Sequence, residues 1–292
     1  MQNHEFRIAV KHTLPATIFF FGDLQWGAKG FDDEAWQAFK SRFKATPNAW
    51  AVGLGDYGDW LRPSMRAPLK SSLIKDPSAG AMLDDQIRRR QDDLIEKMAF
   101  LEGRLIGLHQ GHHCWEFNSG DNSDMRICAA LRTKFLGWMA ATRISFCSDK
   151  RREFGRVLTL LSMHGTGNSR YTGVDSRWMD ANIVPAWQAD VYAKGHGCKA
   201  DAWCPFERQI VRRTGPLGII RQKIYCLNVP GFSRGYTDGW DSSYVEQAGM
   251  QPQQLGWAEL RVGLTCGKEA RQAQGANAGS TVLDIEHLVK TV

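Results

Sequence analysis

Short apolar runs recur along the chain, and most of them end in glycine beside a polar residue. Ala16–Phe21 precedes Gly22-Asp23, Ala49–Leu54 precedes Gly55-Asp56, and Leu105–Leu108 closely precedes Gly111-His112-His113. Val157–Met163 precedes His164-Gly165, Val191–Ala193 precedes Lys194-Gly195-His196, and Ile224–Val229 precedes Pro230-Gly231. Runs of this length, rich in Val, Ile, Leu and Phe and closed by turn residues, predict buried strands. Helical periodicity lies between them. Phe31–Ala45 spaces Trp36, Phe39 and Phe43 by three and four behind Asp32 and Asp33, which suit a helix start. Ala81–Leu101 is long, amphipathic and charged, and shorter helices are expected at 124–140 and 177–188. Strand alternating with helix predicts an α/β chain. Residues 206–228 and 255–292 read as hairpins and strands with Gly-rich turns, forming a second sheet or its edge.

The side chains delivered at the strand ends are Asp23, Asp56, His112, His113, His164 and His196, and ligands of open α/β sheets bind at such ends. Taken singly, an aspartate there is a helix cap and a histidine a satisfied core residue. An ordered series of carboxylates and imidazoles is the donor set of a first-row divalent metal. Glycine beside each donor lets the backbone turn sharply and a substrate come close.

Composition narrows the setting. The chain has 292 residues, 43% hydrophobic and 23% charged, enough for a real core without a disulfide or structural zinc. Lys+Arg 37 against Asp+Glu 31 leaves +6, which permits a polyanionic substrate without demanding one. The Arg88–Arg90 run is flanked by Asp84-Asp85 and Asp92-Asp93 and reads as a self-paired solvated helix face. No apolar run approaches the ~18–20 residues of a membrane span, and the first residues lack a secretory pattern, so no membrane partner and a cytoplasmic setting are expected. Seven irregularly spaced cysteines without a CxxC pair fit reduced thiols.

The constellation resembles the calcineurin-like metallophosphoesterase superfamily, whose pattern is D-x-H, G-D-x-x-D, G-N-H-[DE], a separate H, and G-H-x-H. The chain reads Asp23-Leu24-Gln25, Gly55-Asp56-Tyr57-Gly58-Asp59, Gly111-His112-His113-Cys114, His164-Gly165 and Gly195-His196-Gly197-Cys198. The resemblance implies a four-layer αββα sandwich of two mixed β-sheets with a metal site at one edge. It implies a single domain over 1–292, with a helical insertion at about 61–103 and a β-rich part from about 205. It also implies two divalent ions (Mn, Zn, Fe or Mg) and hydrolysis of a phosphate ester by a metal-bound hydroxide. Asp23 and Asp56 would hold the first metal, with Asp56 bridging to a second held by His164 and His196. His113 would assist the leaving group, and Asp59 would orient its neighbours.

Four positions depart from the pattern. Gln25 offers an amide oxygen where imidazole is usual, a weaker transition-metal donor. His112 replaces asparagine and would strengthen the second site. Cys198 replaces histidine and is either a thiolate ligand favouring zinc or iron or an inert thiol. Cys114 stands where a carboxylate normally holds His113, with Glu116 as the nearest substitute. A tight second site and a labile first site are therefore expected.

Around the motifs, Arg170 in the Gly-rich loop after His164 is a candidate phosphate contact. Trp26, Trp60 and Trp115 are candidate stacking surfaces or core residues, Lys29 and Lys199 would add positive potential, and Arg234 and Tyr236 are candidate rim contacts. The preferred reading is a phosphodiesterase acting on nucleic acid or nucleotides, a nuclease among them. The alternatives are a phosphomonoesterase acting on protein or small molecules, and a degenerate site kept as a binding module.

Overall fold

The computed structural model describes residues 1–9, 14–60, 68–69, 77–148, 151–166, 173–197, 199–203, 207–211, 218–236, 238, 243–247, 249, 251–252, 254–266 and 281–291. Strands β1 (Gln2–Ala9), β2 (Ala16–Phe21), β3 (Ala49–Gly53), β4 (Leu105–His109) and β5 (Phe135–Gly137) precede β6 (Met139–Ser148), β7 (Arg151–Met163) and β8 (Val191–Lys194). They are followed by β9 (Asp201–Trp203), β10 (Glu207–Val211), β11 (Ile219–Lys223), β12 (Tyr225–Asn228), β13 (Gly256–Cys266) and β14 (Thr281–Thr291). The helices are α1 (Asp33–Ala45), α2 (Pro77–Met98), α3 (Ser123–Ala130), α4 (Val174–Asn182) and the single turn α5 (Tyr244–Gln247).

Two six-stranded mixed sheets form, in the orders β14-β13-β2-β3-β4-β5 and β1-β6-β7-β8-β12-β9, beside a separate β10-β11 hairpin. Period-two alternation along β2 assigns its side chains to two cores. Ile18 and Phe20 point to the second sheet, where they join Val52, Ile106, Ile144, Leu158, Val191 and Leu227. Phe19 and Phe21 point the other way, onto Trp36, Phe39 and Phe43 of α1 and Leu94 and Met98 of α2. On the far face of the second sheet, Leu161, Tyr192 and Cys226 meet Met179 of α4. Helices, sheet, sheet and helix are therefore stacked in four layers, the expected sandwich.

Local chemistry fixes the main helix. Asp32 caps α1 by accepting from the Ala35 amide at 2.9 Å, and Asp33 and Glu34 followed by Arg42 and Lys44 complement its dipole. Arg42 then reaches β13 in a bidentate contact with Glu259, both distances 2.9 Å, while the Trp257 indole donates to the same carboxylate.

Two expectations are corrected. The helix expected at 124–140 stops at Ala130. Arg132 takes a left-handed conformation (φ 50°), and the chain then enters β5 and β6. The helix expected at 177–188 runs over Val174–Asn182 instead. The C-terminal part joins both sheets: β12 lies between β8 and β9, and β13 pairs antiparallel with β2. The Arg88–Arg90 run is engaged by its surroundings. Arg89 pairs with Asp85 at 2.8 Å, Arg88 lies over the Phe117 ring, and Arg90 lies over Trp60.

Candidate metal centre

β2, β3 and β4 are parallel neighbours in one sheet, and β7 and β8 are parallel neighbours in the other. Their C-terminal ends carry Asp23, Asp56, His112 with His113, His164, and His196 to one edge of the sandwich. The first two loops are laced together: the Asp23 amide donates to Gly55 O and the Gln25 amide to Asp56 O, each at 2.9 Å. Packing leaves no room for larger residues. A Cβ on Gly111 would stand 2.0 Å from the Asp56 backbone nitrogen.

The backbone is strained where the donors sit. Asp23 (φ 48°), Gln25 (φ 48°), Asp56 (φ 54°) and His196 (φ 61°) all occupy the left-handed region that non-glycine residues avoid. Such conformations persist where surrounding contacts over-determine them, and they cluster at functional sites.

Asp56, His112, His164 and His196 offer ligand atoms that all lie within 4.8 Å of one another. The imidazole rings of His112, His164 and His196 stand 4.4–4.9 Å apart by centroid. His164 Nδ1 donates to Leu54 O at 2.6 Å, because a carbonyl can only accept; Nε2 is thereby the ring atom turned inward, a lone pair once its proton is displaced. That nitrogen lies 3.3 Å from Asp56 Oδ2, with which it makes a buried ion pair when the ring is protonated, and neither atom has a hydrogen bond to another protein group among the described residues. Buried polar atoms are normally satisfied. Two donors 3.3 Å apart suit one ion bound at ~2.0–2.2 Å to each. His112 Nδ1 and His196 Nδ1 face each other at 3.3 Å. These residues fit a divalent metal.

Electrostatics agrees with a cation site. Burial raises the Asp23 carboxyl to about 6 against the pull of His164. Burial opposes ionisation of Asp56 too, but His164 outweighs it and holds that carboxyl well below the usual range. Burial works against the His164 imidazolium, yet Asp56 and Asp23 carry it up to about 9. Burial and the neighbouring His164 push His196 down to about 4, leaving it neutral and able to bind metal. Asp23 is fixed against the cluster by accepting the His196 amide at 2.8 Å.

His113 stands beside the cluster and not within it. Its amide donates to Asp56 Oδ1 at 2.8 Å, and its Nδ1 lies 2.8 Å from Asp59 Oδ1. The orienting carboxylate is therefore Asp59 rather than Glu116, which is exposed and bridges to Asn122. Cys114 is buried and accepts from the Gln110 side chain at 3.2 Å.

Other candidates take different places. Trp115 is buried, with its indole donating to Asp84 at 2.7 Å, so it belongs to the core under α2 and not to a surface a substrate reaches. Trp60 is buried too, while Trp26 is half-buried with its ring centroid 6.4 Å from that of Trp60. Arg234 pairs with the α1 cap Asp32, and Lys199 stands 3.9 Å from Asp175. Arg170 and Cys198 lie outside the described residues.

Two residues near the centre escaped the sequence reading. Asp124, fully buried in the first turn of α3, accepts the Gly111 amide at 2.9 Å and so fixes the loop carrying His112 and His113. In sequence it looks like any acidic residue starting a helix. Trp138, between β5 and β6, places its ring centroid 5.1 Å from that of His112 and is 47% exposed. It falls where a helix was expected.

No family model and no curated protein matches the chain. Solved structures do match. Vacuolar Protein Sorting 29 from Cryptosporidium parvum is 10% identical at a TM-score of 0.39, over 95% of this chain and 100% of that one. A predicted phosphoesterase from Streptococcus pneumoniae is 11% identical at 0.34, over 93% and 98%. A putative 5'-nucleotidase from Staphylococcus aureus is 10% identical at 0.35, over 94% of this chain and 54% of that one. Likenesses of this size carry no functional argument, which rests on the residues themselves.

Proposed function

We propose that the chain is a metal-dependent phosphoesterase of the calcineurin-like type and that its preferred substrates are phosphodiesters, a nucleotide or nucleic acid among them. The observation that carries this reading is the convergence of Asp56, His112, His164 and His196 at the sheet edge, with ligand atoms within 4.8 Å of one another and Asp56 Oδ2 buried 3.3 Å from His164 Nε2. Three imidazoles and a buried carboxylate converging on one point are the donor set of a divalent ion.

Asp56, His112, His164 and His196 would hold one ion, and Asp23 with Asp56 would begin a second site to which Gln25 and Cys198 are the candidate additions. What a bound divalent ion supplies here is Lewis-acid polarisation of the phosphoryl oxygens and activation of water. The chain's own residues do the rest. Leu54 O and Asp23 Oδ2 fix His164 and the His196 amide in place. Asp59 accepts from His113 Nδ1, so in the imidazolium form the proton on Nε2 is the one that passes to the departing ester oxygen as the P–O bond breaks, leaving the ring neutral.

A diester preference is supported by the modest positive balance and by aromatic side chains at the site's flanks, Trp26 and Trp138. The test is hydrolysis of bis-p-nitrophenyl phosphate against p-nitrophenyl phosphate by metal-stripped protein resupplied with Mn²⁺, Zn²⁺ or Mg²⁺. Metal-dependent diester cleavage supports the reading. Cleavage of the monoester alone makes the chain a phosphomonoesterase, and cleavage of neither makes the centre a retained binding module.

A further inference from the structure

Trp138 is presented to the metal centre by a backbone built for it. Gly137 closes β5 in a left-handed conformation (φ 65°), and the chain then crosses from the edge of one sheet to β6 of the other. The Gly137 carbonyl is held twice at 2.9 Å, by the Gln110 amide and by His109 Nδ1. Because that carbonyl accepts, His109 Nε2 takes the Ser162 hydroxyl as its donor at 2.8 Å. Burial keeps the His109 ring neutral, with its pKa down at about 3. The buried histidine is thus spent on fixing one turn, and what that turn displays is an indole. The Trp138 carbonyl accepts the His164 amide at 3.3 Å, which ties the same turn to a metal donor.

The ring is tilted 52° to His112 at 5.1 Å, stands 6.5 Å from His164, and remains 47% exposed. A single exposed aromatic is unremarkable on a protein surface. Trp187, 39% exposed, is such a residue. Trp138 differs because one part of its indole packs on the imidazole cluster while the rest faces solvent beside it. We propose that Trp138 is a stacking platform for a planar, π-bearing group attached to the phosphate, an aryl or nucleobase substituent. This rests on the phosphoesterase reading and adds the class of substituent to it. An indole face binds such groups with little regard to their hydrogen-bonding pattern, so the platform selects aromatic over aliphatic esters without reading a base.

The test is calorimetric binding of phenyl phosphate and methyl phosphate to zinc-loaded protein, with zinc content measured for the wild type, Trp138→Ala and Trp138→Phe. Wild type is expected to favour phenyl phosphate by roughly 5–150-fold, the range for one stacked ring. Trp138→Ala is expected to lose that preference while keeping its zinc and its methyl phosphate affinity, and Trp138→Phe to retain part of it. Equal binding of the two phosphates by wild type, an unchanged preference in Trp138→Ala, or an equal loss of both ligands overturns the platform alone. Failure of wild type to bind either phosphate overturns the platform together with the reading beneath it.

Discussion

His113 Nδ1 lies 2.8 Å from Asp59 Oδ1, so the histidine beside the metal cluster is steered by a carboxylate from another loop, 54 residues earlier in the chain. His113→Ala is expected to lower turnover by about 10²–10⁴ with metal content unchanged. Asp59→Asn is expected to cost on the order of 10–100-fold and to displace the pH profile, since only the orientation and charge state of the ring are disturbed. Glu116→Gln should leave both unaltered. Steady-state rates across pH decide this, and an effect at Glu116 with none at Asp59 would reverse the assignment.

The donor set predicts unequal metal sites. Three imidazoles and one carboxylate converge in one cluster, whereas Asp23, held against it by the His196 amide, and the shared Asp56 would begin another. After exhaustive dialysis the protein should retain about one equivalent of metal, and a second should appear only at higher concentration. Metal analysis finding two ions of equal tightness would contradict this.

Metal loading should release a proton from His164. Its pKa of about 9 lies above the ordinary 6.5 because Asp56 and Asp23 outweigh the effect of burial. In the metal-free protein, the His164 contribution to stability is therefore complete below about pH 6.5 and disappears as pH rises through 9. Metal competes with that proton, so apparent affinity should climb by about tenfold per pH unit between pH 7 and 9 and then level off. Calorimetry in two buffers of different ionisation enthalpy measures the release. A pH-independent affinity would show that His164 is not displaced.

Much of this was legible in the sequence, and the exceptions have physical causes. The runs Ala16–Phe21 and Ala49–Leu54 are buried on both faces and read as strands without ambiguity. The five glycine-flanked donors come together because the strands that carry them end at the same edge. β1 and β5 escape the sequence pattern for opposite reasons. β1 alternates with charged residues at a sheet edge, while β5 is three residues long and follows a helix, ending at Ala130, whose periodicity runs on toward it. Asp124 and Trp138 were invisible because their roles depend on the turn at Gly111 and on the crossing from one sheet to the other. The G-D-x-x-D spacing marks Asp59 as an orienting residue, but that the residue it faces is His113 depends on how the loops after β3 and β4 meet.

Asp124 should make the protein less stable as pH rises. Burial lifts its carboxyl to about 7, so the folded chain holds the proton more tightly than the unfolded chain, where the ordinary value is 3.8. Its favourable contribution is present at low pH and is lost as pH rises from about 4 to 7. Asp124→Asn should gain stability relative to wild type over that window. Asp124→Ala should lose about 1–3 kcal/mol by leaving the Gly111 amide without an acceptor. Denaturant melts at pH 5 and pH 8 give the comparison, and a difference between wild type and Asp124→Asn that stays constant with pH would refute it.

The most direct test of the central claim is to titrate metal-stripped protein with Mn²⁺ or Zn²⁺ while following bound metal and bis-p-nitrophenyl phosphate hydrolysis in the same samples, with Asp56→Ala alongside. If Asp56, His112, His164 and His196 form the working centre, hydrolysis rises with occupancy and both are lost in the variant. Full occupancy without hydrolysis, or hydrolysis that survives in Asp56→Ala, would contradict it.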